Sequence, residues 1–315
     1  MDEYSDFLSD LTAYLTDPHR KTHYIYFFSS LCIALIYLFF FNKKTSKYIF
    51  YIFNKNHWIG KSPLCDYYLV IINSLIRVFL IIPFFLTGVN LSFDIAKWLM
   101  LNFGVPPMYE GSRLPIIISY TFSLWILADF SRFFLHYLAH RIPLLWEFHK
   151  VHHSATVMNP FTLYRQHPVE MFLFHIRGTL VFALVTGVFY YYFSYHFGLI
   201  EILGVNIGRF IFLFLGSNLR HSHVPVRYGN LLEHVFISPL QHQIHHSIDD
   251  MDHHKNMGSH LAIWDWMFGT LKISEKGKTE YQFGIPSSQT DDYDSFIGSI
   301  WIPIKNNYQR IVKRK

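Results

Sequence analysis

The chain has 315 residues, of which 51% are apolar, 19% aromatic and only 16% charged, with a formal net charge of +5. That balance excludes an ordinary soluble domain and, with several long charge-free runs, points to an integral membrane protein. The positive excess then belongs to membrane orientation, and no basic, aromatic-interleaved groove motif indicates nucleic acid.

The first 23 residues are acidic and lack a positive segment ahead of an apolar one, so no cleavable signal peptide is expected. Tyr24 to Phe41 carries no charge and is long enough to cross a bilayer. A basic loop follows, with Lys43, Lys44, Lys47, Lys55 and Lys61 and no acid. A second apolar run, Tyr67 to Thr87, is interrupted by Arg77 and expected to bend or break near Pro83. Gly88 to Arg113 reads as a loop of mixed charge with a Gly104-Val105-Pro106-Pro107 turn, and Leu114 to Leu135 as a third run. Farther on, Gly178 to Tyr195 and Phe197 to Gly216 read as a tight helical hairpin, and residues 275–315 as a polar, partly extended tail. The lysine-rich loop faces the cytoplasm by the positive-inside rule, as does the basic tail. The expected fold is all-α and integral to the membrane, with about four transmembrane helices and a cytoplasmic helical cap. Residues 1–113 form the N-terminal membrane region, 114–274 the catalytic domain and 275–315 the tail.

The third run leads into the chemistry. His136 and His140 form an H-x-x-x-H; His149, His152 and His153 form an H-x-x-H-H; His242, His245 and His246 form a second one. Residues three or four apart share a helix face, so each box is expected to present its imidazoles together. Imidazole suits iron, copper, nickel and zinc, and eight such residues are too many for one ion and enough for two. Cys32 and Cys65 stand alone, so any metal is held without thiolates, which argues against structural zinc and iron–sulfur clusters. Neither H-E-x-x-H nor H-x-x-E-H occurs, nor do the paired Glu-x-x-His motifs of soluble di-iron bundles. A histidine-rich metal transporter or sensor is the rival reading. It expects ligands inside the spans, lining a path across the bilayer, whereas these boxes sit at run ends and between runs. A bis-histidine haem protein is a third.

The order D-x(6)-H-x-x-x-H, H-x-x-H-H-S, R-x-H-P-x-E, N-L-R-H, H-x-x-H-H-S, K-N-x-G and W-D-x-x-F-G-T runs from Asp129 to Thr270. It resembles the fatty acid hydroxylase/sterol desaturase superfamily of membrane di-iron oxygenases. The resemblance implies two iron ions, dioxygen as co-substrate, and attack on an unactivated C–H bond of a lipid that enters from the bilayer. Attack on such a bond needs an oxidant that no side chain supplies. The product implied is a hydroxylated or desaturated lipid, or the cleavage products of an oxidised ether. Electrons come from a separate reductase or small redox carrier, because the chain has neither a Rossmann glycine motif nor a haem-attachment motif. The membrane is the cytoplasmic one in a bacterium or the endoplasmic reticulum in a eukaryote. His221 matches the family's isolated ligand and joins the eight box histidines as a metal ligand. Asp129, Glu147 and Glu170 are candidates to receive the other N–H of a ligating ring. His167 is a helix-cap or site-lining residue. His223 stands where relatives often have Asn. His253 and His254 precede the K-N-x-G lysine, where relatives commonly have Asp. No catalytic side chain is assigned beyond the metal ligands.

Overall fold

The computed structural model describes residues 3–41, 48, 50–51, 53–81, 85–194, 196–277, 280–286 and 293–313. Among them helix dominates. The long elements are α1 (Glu3–Thr16), α2 (Tyr24–Phe41), α3 (Lys55–Ile59), α4 (Lys61–Ile76), α5 (Phe85–Phe103), α6 (Arg113–Arg141), α7 (Pro143–His153), α8 (Pro168–Phe193) and α9 (Ile207–Phe214). They are followed by α10 (Pro239–His245), α11 (Ile263–Met267) and α12 (Phe296–Val312). A two-stranded antiparallel hairpin pairs Glu201–Ile202 with Val205–Asn206.

Three described helices, α2, α6 and α8, are long and apolar enough to cross a bilayer. Their outward faces carry exposed Phe28, Phe39 and Phe40 on α2, Leu114 and Phe122 on α6, and Leu180 and Leu184 on α8. The buried interior is rich in polar groups, histidine above all. Apolar outside and polar inside is the pattern of a chain that associates with lipid.

Several stretches depart from the expectation. The run from Tyr67 to Thr87, expected to bend or break near Pro83, leaves regular α-helix earlier, at Arg77: α4 ends at Ile76, passes into a π-helical turn over Arg77–Ile81, and α5 begins at Phe85. The break near Pro83 falls outside the described residues, as do Lys43, Lys44 and Lys47 of the basic loop. Most of the expected loop after Gly88 is helix α5. Its charges, Asp94 and Lys97, point outward while Ser92 and Ala96 are buried against α8. That close approach needs Gly187, where a Cβ would stand 2.7 Å from the Ser92 carbonyl oxygen.

The expected helical hairpin after α8 is also different. The chain reverses through the β-hairpin, with Leu203 and Gly204 at positive φ, and only the eight residues of α9 are helical, capped by Asn206. The tail is not extended throughout. α12 docks on α7, where Asn307 donates to the Leu144 carbonyl at 2.9 Å and Arg310 pairs with Glu147 at 3.1 Å.

The junction of α6 and α7 sets up the site. Ile142 precedes a proline and is extended (φ −96°, ψ 113°), which stops α6, and Pro143 opens α7 at its first turn. Two histidine-bearing helices thus follow one another with a single residue between them, and they fold back to bring their boxes face to face.

Candidate metal centre

The nine histidines gather in two adjoining groups. One holds His136, His140, His149, His153 and His245; the other holds His152, His221, His242 and His246. Within each group one nitrogen per ring lies within 4.8 Å of the others, and all nine residues are buried. The groups touch: the His153 and His246 rings stack with centroids 4.5 Å apart and planes at 23°.

The spacing explains the partition better than a shared face does. At about 100° per residue, positions i and i+4 differ by about 40°, while i+3 lies about 60° to the other side. In α7 the i,i+4 pair His149 and His153 enters the first group, and His152 turns to the second. In α10 the pair His242 and His246 enters the second group and His245 crosses to the first. Each H-x-x-H-H therefore serves both groups, in opposite senses, and does not present its three imidazoles on one face. His136 and His140, one turn apart on α6, stay together as expected. His221 arrives at the end of a 3-10 turn, Ser217–His221, entered through left-handed Gly216 (φ 89°).

Hydrogen bonding fixes which nitrogens face inward. His136 Nδ1 donates to the Met257 carbonyl at 2.7 Å and His245 Nδ1 to the Lys255 carbonyl at 2.7 Å. His149 Nδ1 donates to Glu170 Oε1 at 2.7 Å, and His152 Nδ1 to the Arg165 carbonyl at 3.2 Å. A ring that donates from Nδ1 presents a lone pair at Nε2. Yet His136 Nε2 stands 2.9 Å from His149 Nε2 and 3.1 Å from His245 Nε2. Three lone pairs converge with no proton among them, an arrangement that a cation relieves. In the second group His221 Nε2 lies 3.4 Å from His152 Nε2 and 3.2 Å from His242 Nε2. Both nitrogens of His140 and of His153 are buried without a hydrogen-bond partner. Burial pushes His152, His153, His221, His242, His245 and His246 far below the ordinary histidine range. Neighbouring imidazoles reinforce this, and Lys21 and Arg220 do so for His221. These rings are neutral, the form that binds metal. The donor set, all imidazole, fits a transition metal and not magnesium or calcium.

Residues 121–270 match the family model described as fatty acid hydroxylase. Over this segment the chain is similar to the fatty acid hydroxylase family. The chain is 31% identical over 151 residues to ornithine lipid hydroxylase OlsE of Rhizobium tropici, covering 46% of this chain and 40% of that protein. It is 27% identical over 175 residues to alkylglycerol monooxygenase of Xenopus tropicalis (55% and 35%), and 26% identical over 160 residues to the human protein of that name (51% and 32%). The match thus spans less than half the length of these relatives. No solved structure matches the chain.

The other motifs of the hydroxylase segment build the frame around the rings. In R-x-H-P-x-E, fully buried Arg165 binds Asp66 at 3.1 Å and Asp294 at 2.7 Å, tying α4 and the C-terminal segment to the end of α7. His167 caps α8, accepting from the Val169 N–H at 3.1 Å, and Glu170 orients His149. In K-N-x-G and W-D-x-x-F-G-T, buried Asp265 accepts from the N–H groups of Met257 (2.8 Å) and Gly258 (2.7 Å) and from the Thr270 hydroxyl (2.6 Å). Left-handed Asn256 (φ 53°) is held by the Lys272 N–H at 2.7 Å. These contacts aim the Lys255 and Met257 carbonyls at His245 and His136. That role was not evident in the sequence, because a backbone carbonyl has no residue signature; the only sign was the motif itself.

The remaining candidates lie outside both groups. Asp129 receives the N–H groups of His260 (2.9 Å) and Leu261 (3.0 Å) and the Trp264 indole (3.0 Å), so it braces the loop and faces no histidine of either group. Glu147 holds α12 through Tyr293, Asn306 and Arg310. His223 stacks on Tyr51 at 4.9 Å, away from both groups. His253 approaches His153 at 5.5 Å between ring centroids and His254 approaches His140 at 5.7 Å, and neither joins a group.

Proposed function

We propose that this protein is a membrane-bound non-haem di-iron oxygenase that hydroxylates or desaturates a lipid, using dioxygen and electrons from a separate donor. One observation carries the reading: two adjoining groups of buried imidazoles, in the first of which the Nε2 atoms of His149 and His245 lie 2.9 and 3.1 Å from that of His136. The first iron takes His136, His140, His149, His153 and His245, and the second takes His152, His221, His242 and His246. When bound, the pair supplies the oxidant for a C–H bond. The protein's own residues orient the rings through Glu170 and the Lys255, Met257 and Arg165 carbonyls, and the enclosing helices keep water from the rings. Residues 114–274 are the catalytic unit, and the histidine groups face the cytoplasm. The lipid enters from the bilayer alongside α2, α6 and α8.

The relatives named as a lipid hydroxylase and as alkylglycerol monooxygenases support an oxygenase acting on lipid. A transport path would string its ligands along the spans. Here only His136 and His140 lie on a candidate span, both in its last two turns. The test is to purify the full chain, measure its metal, and compare lipid extracts of cells with and without it. Two irons per chain and a lipid heavier by one oxygen atom, or lighter by two hydrogens, are expected. A single tightly held zinc and unchanged lipids would refute the proposal.

A further inference from the structure

Beside the histidines lies a set of cations that the metal chemistry does not use. A cavity of about 440 Å³ is lined by Arg20, Lys21, Arg77, Arg132 and Arg209. A narrow inner chamber adjoins it, sharing Lys21 and Arg132 and adding Arg220, and this chamber is also lined by His136, His149, His152, His221 and His242. Six basic side chains thus face three acidic ones, Asp10, Asp17 and Glu170.

The acids are already committed. Asp10 binds Arg20 and approaches Arg77 at 3.8 Å, Asp17 lies 3.8 Å from Arg20, and Glu170 receives His149. Arg209 donates to the His19 carbonyl at 2.6 Å and Arg220 to the Ser259 carbonyl, so each guanidinium keeps its charge unneutralised. Lys21 and Arg132 make neither an ion pair nor a hydrogen bond among the described residues. Arg132 has only the Phe174 ring, 4.9 Å from its guanidinium carbon. Lys21 and Arg132 line both the cavity and the chamber, with Arg209 on the cavity side and Arg220 on the chamber side, so the four share one continuous space. Partly buried charges of one sign without counter-charge are costly to assemble and call for an anion. Arg132 lies one helical turn before His136 on α6, toward the membrane-spanning part of that helix.

We propose that the cavity and its inner chamber together bind the anionic headgroup of the lipid substrate, a phosphate above all, where Lys21 and Arg132 join them, with Arg209 on the outer side and Arg220 on the inner. Guanidinium groups bind phosphate oxygens in pairs and lysine adds a point charge. The inference rests on the oxygenase reading and narrows it. With the headgroup against Lys21 and Arg132, the carbons next to it, and not the far end of the chain, meet the histidines. The substrate is therefore an anionic lipid oxidised close to its headgroup.

Binding tests this directly. The detergent-purified full chain is titrated with dihexanoyl phosphatidic acid, with dihexanoylglycerol, and with inorganic phosphate, and its iron content is measured on the same sample. Phosphatidic acid is expected to bind at least about tenfold more tightly than either of the other two. Lys21→Met and Arg132→Met should each cost about tenfold in that affinity, Arg132→Lys should recover only part of it, and iron content should not change. Equal affinity for dihexanoylglycerol overturns the headgroup site, as does phosphatidic acid binding that survives both Met substitutions. Inorganic phosphate binding as tightly as the lipid also overturns it, leaving a site for free anions. Two irons with no headgroup preference sink this proposal alone. A preference for phosphatidic acid in protein without iron supports the headgroup site and refutes the oxygenase reading.

Discussion

Gly258→Ala tests the link between a short loop and one half of the metal centre. A Cβ at Gly258 would lie 2.6 Å from the Leu261 carbonyl oxygen, 2.8 Å from Asp265 Oδ2 and 2.8 Å from Ile237 Cγ1. None of these neighbours yields easily: Leu261 O is backbone, Asp265 is pinned by three donors, and Ile237 is fully buried. Overpacking of this kind costs about 1–3 kcal/mol. The loop must shift by a few tenths of an ångström, and the Met257 carbonyl moves with it, away from His136 Nδ1. Loss of such an orienting partner weakens a metal site by about 10–100-fold. We therefore expect chelator competition to strip one iron from the variant well before the other, with a melting temperature lower by several degrees. His152 and its group hang on Arg165 and the 3-10 turn at Ser217–His221, so the second iron should hold as in the parent protein. Two irons released together with parental affinity would refute the reasoning.

Glu170→Gln keeps an acceptor for His149 but removes its charge; iron affinity of the same group should fall about tenfold, read by the same competition, with little change in melting. His167→Ala removes the cap of α8 and the bond from Nε2 to the Ile300 carbonyl (3.1 Å), and should cost about 2 kcal/mol of stability in denaturant titration, with both irons retained; His167→Asn should restore the part due to the cap. Loss of iron in His167→Ala would show that His167 does more than cap the helix.

How much of this was legible in the sequence depends on how local the physics is. The boxes were legible because a helix converts spacing into a face within a few residues, and all nine histidines singled out as ligands come together. The spacing also sets His152 apart from His149 and His153, and His245 apart from His242 and His246, but which group each joins depends on how α7 and α10 oppose each other, a fact of packing. Asp129 and Glu147 have the chemistry of partners for ligating rings; both instead hold neighbouring segments, and of the three only Glu170 reaches a histidine of either group. The stretch after Gly88 read as a loop because Asp94 and Lys97 interrupt its hydropathy, yet on a helix both charges sit on the face away from α8. In the tail, Tyr293, Asn306 and Arg310 carry no conspicuous periodicity; what orders them is Glu147, more than a hundred residues away.

Metal removal asks whether the centre is also part of the fold. Four rings donate from Nδ1 to fixed acceptors, Glu170 and the Met257, Lys255 and Arg165 carbonyls, so Nε2 is the atom that each turns toward its neighbours. Stripped of cations, His149 and His245 keep Nε2 atoms 2.9 and 3.1 Å from that of His136. The rings must separate or flip, and either motion exposes a carbonyl or carboxylate that is now buried and paired. A metal present at about a thousand times its dissociation constant stabilises the folded state by about 4 kcal/mol per site. Chelation should therefore lower the melting temperature on the order of 10 °C. Zinc, which imidazoles accept but which has no redox chemistry, should restore melting without restoring turnover. A metal-free protein that melts with the iron-loaded one would mean that the rings tolerate each other unaided, and the lone-pair argument for two metals would fall.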